Sequence, residues 1–72
     1  MTILKFRKRW ESENESPFIY INREKISYWN EEYDSSLETI YTTIYMNENY
    51  VYVKETAAEV ERKILESETL EL

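Results

Sequence analysis

Apolar and polar residues alternate along most of this chain with a period of two, which is the pattern of β-strands that bury one face. The pattern predicts strands at residues 2–10, 18–21, 26–29, 37–46 and 50–53. In the longest of these, threonine and tyrosine on one face alternate with isoleucine, threonine and methionine on the other. Such β-branched and aromatic side chains favour a pleated surface.

Polar segments separate the predicted strands. Residues 11–17 hold the only proline and residues 30–36 are largely charged or small, so both are predicted to be surface loops. Asn22 is a plausible cap for a single helical turn before the third strand. Asn47-Glu48-Asn49 is predicted to form a tight hairpin turn. Because the chain has no glycine, we expect asparagine to take any left-handed backbone position.

The last strand runs into a predicted helix at residues 56–67. Thr56-Ala57-Ala58-Glu59 matches the capping box, in which two side chains satisfy free backbone N–H groups at a helix start. An apolar stripe follows at helical spacing, and residues 68–72 are expected to be a frayed acidic tail. The chain is therefore predicted to be one α+β domain over residues 1–72. We expect an antiparallel β-meander of four to five strands, with one C-terminal amphipathic helix packed on one face.

Composition limits the chemistry that this chain supports. It has 72 residues, enough for one small domain, and it contains no cysteine and no histidine. We therefore expect no disulfide, no metal site, no cofactor and no catalytic residues. A carboxylate pair drawn from Glu31, Glu32 and Asp34 is the one catalytic arrangement that the sequence permits, but no orienting base or phosphate-binding loop accompanies it. The chain is expected not to be an enzyme.

A pattern from Phe18 onward extends over about two-thirds of the chain, and its last part is the junction between the final strand and the helix. It consists of Tyr20-Ile21-Asn22, Ile26, Glu31, Glu32, Thr39, Ile40, Val51, Val53, Lys54-Glu55-Thr56, Glu59-Val60 and Lys63-Ile64. This pattern resembles the small FlbD-like proteins associated with bacterial flagella and swarming motility, similar short forms of which occur in phages. The resemblance implies a non-enzymatic accessory protein.

Tyrosines on one face of the predicted sheet are the leading functional feature. Tyrosine is enriched at protein interfaces because it buries a large area while keeping a polar tip. We therefore predict a small non-catalytic interaction module that binds a protein partner. We also expect it to self-associate, for which a homodimer is the simplest form. The alternative is that these rings only pair across strands and cover a thin core. The expected contact residues are Trp29, Tyr41, Tyr45, Tyr50 and Tyr52.

Basic charge without neighbouring acids is found at the start of the chain. Residues 1–10 carry four basic and no acidic side chains, whereas the whole chain has a net charge of −6. Lys5, Arg7 and Arg9 could hold phosphates while Trp10 stacks on bases, which makes nucleic-acid binding the second hypothesis. The alternative is an edge strand whose cations prevent unwanted pairing, or cations that pair with the acidic remainder.

The acidic residues suggest a third hypothesis, an inhibitor of phage type that occupies a basic groove of a host protein. The alternative is an ordinary solvated surface. The acidic residues concerned are Glu11, Glu13, Glu15, Glu31, Glu32, Asp34, Glu59, Glu61, Glu66 and Glu68.

Because no targeting or membrane-spanning segment is recognisable, we expect a cytoplasmic protein that does not bind a membrane.

Overall fold

The computed structural model describes residues 2–70, with side chains through residue 68. It confirms the α+β fold, with five antiparallel strands and one C-terminal helix. No helix within residues 2–70 is both long and apolar enough to cross a membrane. The elements are β1 (Ile3–Arg7), β2 (Phe18–Asn22), a 3-10 turn (Arg23–Lys25), β3 (Ile26–Asp34), β4 (Thr39–Met46), β5 (Tyr50–Val53) and α1 (Ala57–Leu70).

The strands form two antiparallel groups that join at one point. β1 and β2 make a hairpin, and β3, β4 and β5 make a three-stranded meander. A bridge between Lys8 and Val53 connects them, and the Lys54 N–H donates to the Arg7 carbonyl at 2.9 Å. Across this junction the strands follow the order β2-β1-β5-β4-β3.

The first strand is shorter than predicted, and its C-terminal end does not lie at the edge of the sheet. Regular pairing stops at Arg7 rather than at residue 10. The Lys8 N–H then donates to the Pro17 carbonyl at 2.8 Å, and the Arg9 N–H donates to the Tyr52 carbonyl at 3.0 Å. Backbone partners therefore flank this segment on both sides, which leaves β2 and β3 as the outer strands.

The third strand is longer than predicted. Residues 30–34 belong to β3, so the loop expected at residues 30–36 is only the turn 35–38, and β4 begins at Thr39. The polar residues of this segment are paired in register with β4 instead of being free in solvent. Asp34 ends the strand because its carboxylate accepts from the Ser36 and Leu37 N–H groups.

The predicted capping box begins the helix. The Thr56 hydroxyl accepts from the Glu59 N–H at 3.2 Å, and the Glu59 carboxylate accepts from the Thr56 N–H at 2.9 Å. The helix runs to Leu70, so the predicted end at residue 67 is wrong, and residues 71–72 of the expected tail lie outside the described residues. Ser67 anchors this end by donating to Ile64 and accepting from Arg23.

The core lies between the sheet and the helix, where α1 contacts β1 and β3. Its buried apolar residues are contributed by every strand except β3 and by the helix, and each large side chain of this kind contributes about 1.5–3 kcal/mol when buried. Ile40 lies on the same face of β4 as Ile44 but is half exposed, because it pairs only with Tyr33 beyond the end of β5. The buried apolar residues are Leu4, Phe6, Ile21, Ile44, Val53 and Val60.

A buried carboxylate fixes the junction of the two strand groups. Glu55 is 4% exposed, and its two oxygens accept from the Arg7 backbone N–H at 3.1 and 3.2 Å. Arg7 Nε lies 3.3 Å from one of them. The Thr42 hydroxyl donates to the Glu55 carbonyl at 2.6 Å, which ties the same residue to β4. Such charge-assisted bonds are what allow an ionised group to be buried.

The left-handed backbone position falls on Glu38 and not on an asparagine. Its φ of 51° lies in the turn between β3 and β4, and it is the one positive φ among the described residues. The expectation that asparagine would take this role at Asn47 or Asn49 is therefore wrong. The Asp34 turn dictates the conformation at Glu38, and the sequence offers no small residue there.

We expect Glu38→Gly to raise the free energy of unfolding by about 0.5–1 kcal/mol, because glycine removes the left-handed penalty but adds entropy to the unfolded chain. Urea denaturation followed by tryptophan fluorescence measures this change. The matched control is Glu48→Gly in the other hairpin, which should lower stability. Equal destabilisation by both changes would contradict the assignment of strain to Glu38.

Candidate protein-interaction surface

Five tyrosines form one surface on the side of the sheet opposite to the helix. Side chains alternate along a strand, so the buried Ile44 points toward the core while its neighbours in β4 point away. The register places these rings next to one another across β3, β4 and β5. We call this surface the tyrosine face, and it consists of Tyr28, Tyr41, Tyr45, Tyr50 and Tyr52.

The rings of the tyrosine face make a continuous series of contacts. Tyr28 stacks on Tyr45 with ring centroids 4.4 Å apart, and Tyr45 lies 6.1 Å from Tyr50. Tyr52 meets Tyr50 at 5.4 Å and Tyr41 at 5.6 Å, both in edge-to-face arrangements. These are the separations that aromatic pairs favour. The rings therefore support one another across three strands.

Much of this aromatic surface is nevertheless open to solvent. Tyr28 is 53% exposed and Tyr50 is 55% exposed, whereas Tyr41 and Tyr45 are half-buried. Beneath the rings Thr43 is buried, and its hydroxyl is hydrogen-bonded to the Glu32 carboxylate. The tyrosine face thus has a fixed polar base and a large apolar surface, which is unusual to leave uncovered.

The structure separates Trp29 from the other four predicted contact residues. Trp29 pairs with Ile44 in register and packs against the core on the helix side. Tyr28 takes its place in the tyrosine face. Adjacent residues point to opposite faces of a strand, and the register shift between Ile26 and Tyr28 decides which of the two faces outward. Alternation in the sequence shows that Tyr28 and Trp29 cannot both lie on the tyrosine face, but it does not show which of the two does.

Arg9 extends the tyrosine face toward Trp10. Its guanidinium lies 3.7 Å from the centroid of the Tyr41 ring and 4.5 Å from that of Trp10. It is also paired with the Asp34 carboxylate at the end of β3, and its side chain is only 10% exposed. Trp10 itself is 59% exposed. Arg9 is therefore a structural link between β1 and the β3–β4 hairpin.

The other basic side chains of residues 1–10 do not form one patch with Arg9 and Trp10. Arg7 contacts the Glu55 carboxylate, with Glu59 4.0 Å away, and Lys8 contacts Glu15 at 3.2 Å. The Lys5 ammonium lies 3.9 Å above the Phe18 ring. Most of the basic charge is thus neutralised by acids of the same chain, as one of the alternatives expected.

The predicted carboxylate cluster is divided among three partners. Glu31 accepts from the Ala57 N–H at the start of the helix at 3.0 Å, Glu32 bonds to a threonine of β4, and Asp34 pairs with Arg9. Successive residues of this strand also point to opposite faces. No group of three or more acidic residues within the described part of the chain is placed to hold a metal ion.

Hydrogen bonds shift the pKa of several of these groups. Desolvation acts to raise the pKa of Asp34, but the bonds from Arg9 and from the Leu37 and Ser36 N–H groups outweigh it, so the pKa lies below 3.8. The Thr56 backbone N–H lowers the pKa of Glu59 from 4.5. In Glu15, bonds from Ser12 and Lys8 lower the pKa.

Tyr52 differs from the carboxylates because its pKa is raised above 10.0. Its interaction with the Tyr50 side chain is the largest cause, followed by desolvation and by the negative charge of Glu32. The shift reflects the close contact of the Tyr52 and Tyr50 side chains at the centre of the tyrosine face.

Comparison with known proteins gives no family for this chain. No protein-family profile matches it, and no curated protein and no solved structure shows significant similarity to it. The resemblance to FlbD-like proteins stays a prediction.

We expect stability to fall on acidification because Asp34 and Glu59 have lowered pKa values. Their contribution is complete above the ordinary values of 3.8 and 4.5 and is lost as the pH falls through the lower folded-state values. Urea denaturation at a series of pH values tests this. Asp34→Asn should be less stable at neutral pH and should lose less stability in acid, whereas Glu13→Gln in the first loop should match the unchanged protein. Identical pH slopes for all three would refute the assignment.

Proposed function

We propose that this chain is a small non-catalytic protein-interaction module whose contact surface is the tyrosine face. The observation that carries the proposal is the unbroken series of ring contacts from Tyr28 to Tyr41 across three strands, on a surface that the helix leaves uncovered. Mutual packing holds the rings in place before a partner arrives, so binding costs less side-chain entropy.

The chemistry of the tyrosine face supports protein contact in particular. Tyrosine presents apolar area and a hydroxyl together, and such residues often dominate the binding energy of an interface. The proposal includes self-association, in which the tyrosine faces of two copies cover each other. It also includes a cytoplasmic location and a motility-accessory or phage-accessory role, which the FlbD-like resemblance suggests.

The contacts of the basic strand favour this proposal over nucleic-acid binding. Arg7 and Arg9 already contact carboxylates of the same chain, and Arg9 is almost enclosed. Phosphate binding would have to displace these partners. For a protein with a net charge of −6, general attraction to nucleic acid is also unfavourable.

The test is a pair of double variants that remove equally exposed tyrosines from different surfaces. Tyr28→Ser with Tyr50→Ser changes the tyrosine face. Tyr20→Ser with Tyr33→Ser changes side chains that are 61% and 62% exposed elsewhere. Light scattering over a range of concentrations should show self-association that weakens at least about tenfold in the first variant, which corresponds to about 1.4 kcal/mol.

The control variant should associate as the unchanged protein does, and both variants should keep the circular dichroism spectrum of the fold. Two results together would overturn the proposal. The unchanged protein would have the mass of a single chain at every concentration, and the first variant would still bind every protein that the control variant binds.

A further inference from the structure

The outer edge of β3 is a long strand edge without a partner. β3 has nine residues and no proline, and six of its nine residues are exposed. Its inner edge pairs with β4 over almost its whole length. Within residues 2–70, no backbone hydrogen bond joins residues 27–34 to any element other than β4. Such an edge presents a row of free N–H and carbonyl groups that can pair with another chain.

The usual protection of an edge strand is weakened here. Proteins commonly block edges with lysine, proline or charged side chains that remain free in solvent. β3 contains no lysine or arginine. Its three carboxylates are each held by another element: Glu31 by the helix start, Glu32 by β4 and Asp34 by Arg9. They therefore do not extend from the edge as free blocking charges.

The charge of this edge selects the kind of strand that can add to it. Residues 26–34 carry three negative charges and no positive one. A second copy pairing through β3 would place two such acidic strands side by side, each on a body with a net charge of −6. Like charges on neighbouring strands are destabilising, whereas opposite charges are stabilising. An extended basic segment complements the edge in both hydrogen bonding and charge.

We propose that the outer edge of β3 binds an extended basic segment of a partner protein, which adds to the sheet as an antiparallel or parallel strand beside residues 27–34. The backbone of the segment supplies the hydrogen bonds, and its lysine or arginine side chains lie beside the exposed Glu31 and Glu32 carboxylates, which have no cationic partner among the described residues. This inference names a partner class for the proposed interaction role, but it concerns a surface other than the tyrosine face.

The probe is an eight-residue peptide that alternates lysine with threonine and valine. Two matched peptides accompany it: one has glutamate in place of lysine, and one keeps lysine but has proline in place of valine. Amide hydrogen exchange, measured residue by residue by NMR, reports where each peptide binds. We expect the first peptide to slow exchange within residues 27–34, with an affinity that falls as salt is added. The proline and glutamate peptides should protect nothing there.

A matched pair of charge variants separates edge binding from general attraction. Asn30→Lys places a cation on the exposed middle of β3, and Asn14→Lys makes the same change in the first loop. The first should weaken peptide binding by about three- to fivefold, the effect of an exposed charge pair, and the second should leave it unchanged. Asn30 lies on the same side of β3 as Tyr28, so light scattering of both variants accompanies the peptide titration and shows whether self-association has changed as well.

Three results would overturn the proposal. The lysine peptide could protect no β3 amide, or protect β2 instead. The two asparagine variants could weaken binding equally, which would indicate attraction to the net charge alone. Alternatively, the β3 amides of the unchanged protein could become protected with rising concentration and salt, which would show that a second copy occupies this edge.

Discussion

Glu55 has its carboxylate buried where β1, β4 and the start of the helix meet. It bonds the backbone and side chain of Arg7, while Thr42 bonds its carbonyl. Breaking this arrangement would leave a buried carboxylate and a backbone N–H without partners. An unsatisfied buried polar group costs about 1–3 kcal/mol, and a charged one costs more. Within residues 2–70, the Lys8–Val53 bridge beside it is the one strand pairing between the two groups. The position of the hairpin relative to the meander therefore depends on this junction.

The junction also determines which surfaces remain free. With β1 beside β5, the helix closes over one face of both strand groups and buries Phe6, Val53 and Val60. Within residues 2–70 no element forms a second layer on the other face, so its tyrosines pack on one another and stay partly exposed. Basic residues near the junction are used for internal contacts, such as Arg9 with Asp34. This leaves the aromatic face and the acidic edge of β3, the surfaces at which we propose that partners bind.

Local patterns in the sequence predicted most of the strands and the helix, whereas the remaining boundaries depend on how the strands pair with one another. The capping box at Thr56 and the alternation in β4 are short-range signals, and both were confirmed. The extension of β3 through Glu31 and Glu32 was missed because polar residues resemble a loop until their partners across the sheet are known. The same limit applies to the candidate surface: four of its tyrosines were predicted, but the choice between Tyr28 and Trp29 depends on a register shift that no local pattern reveals.

The most direct test of this account is the stability of Glu55→Ala. Charge-assisted hydrogen bonds of this kind contribute about 1.5–3 kcal/mol, so we predict a loss of at least about 2 kcal/mol in the free energy of unfolding, with faster amide exchange at Arg9 and Lys54. Glu55→Gln, which keeps one acceptor oxygen, should lose less, and Glu48→Ala in the exposed hairpin should change stability by less than about 0.5 kcal/mol. A similarly small change for Glu55→Ala, with both amides still protected, would contradict the account.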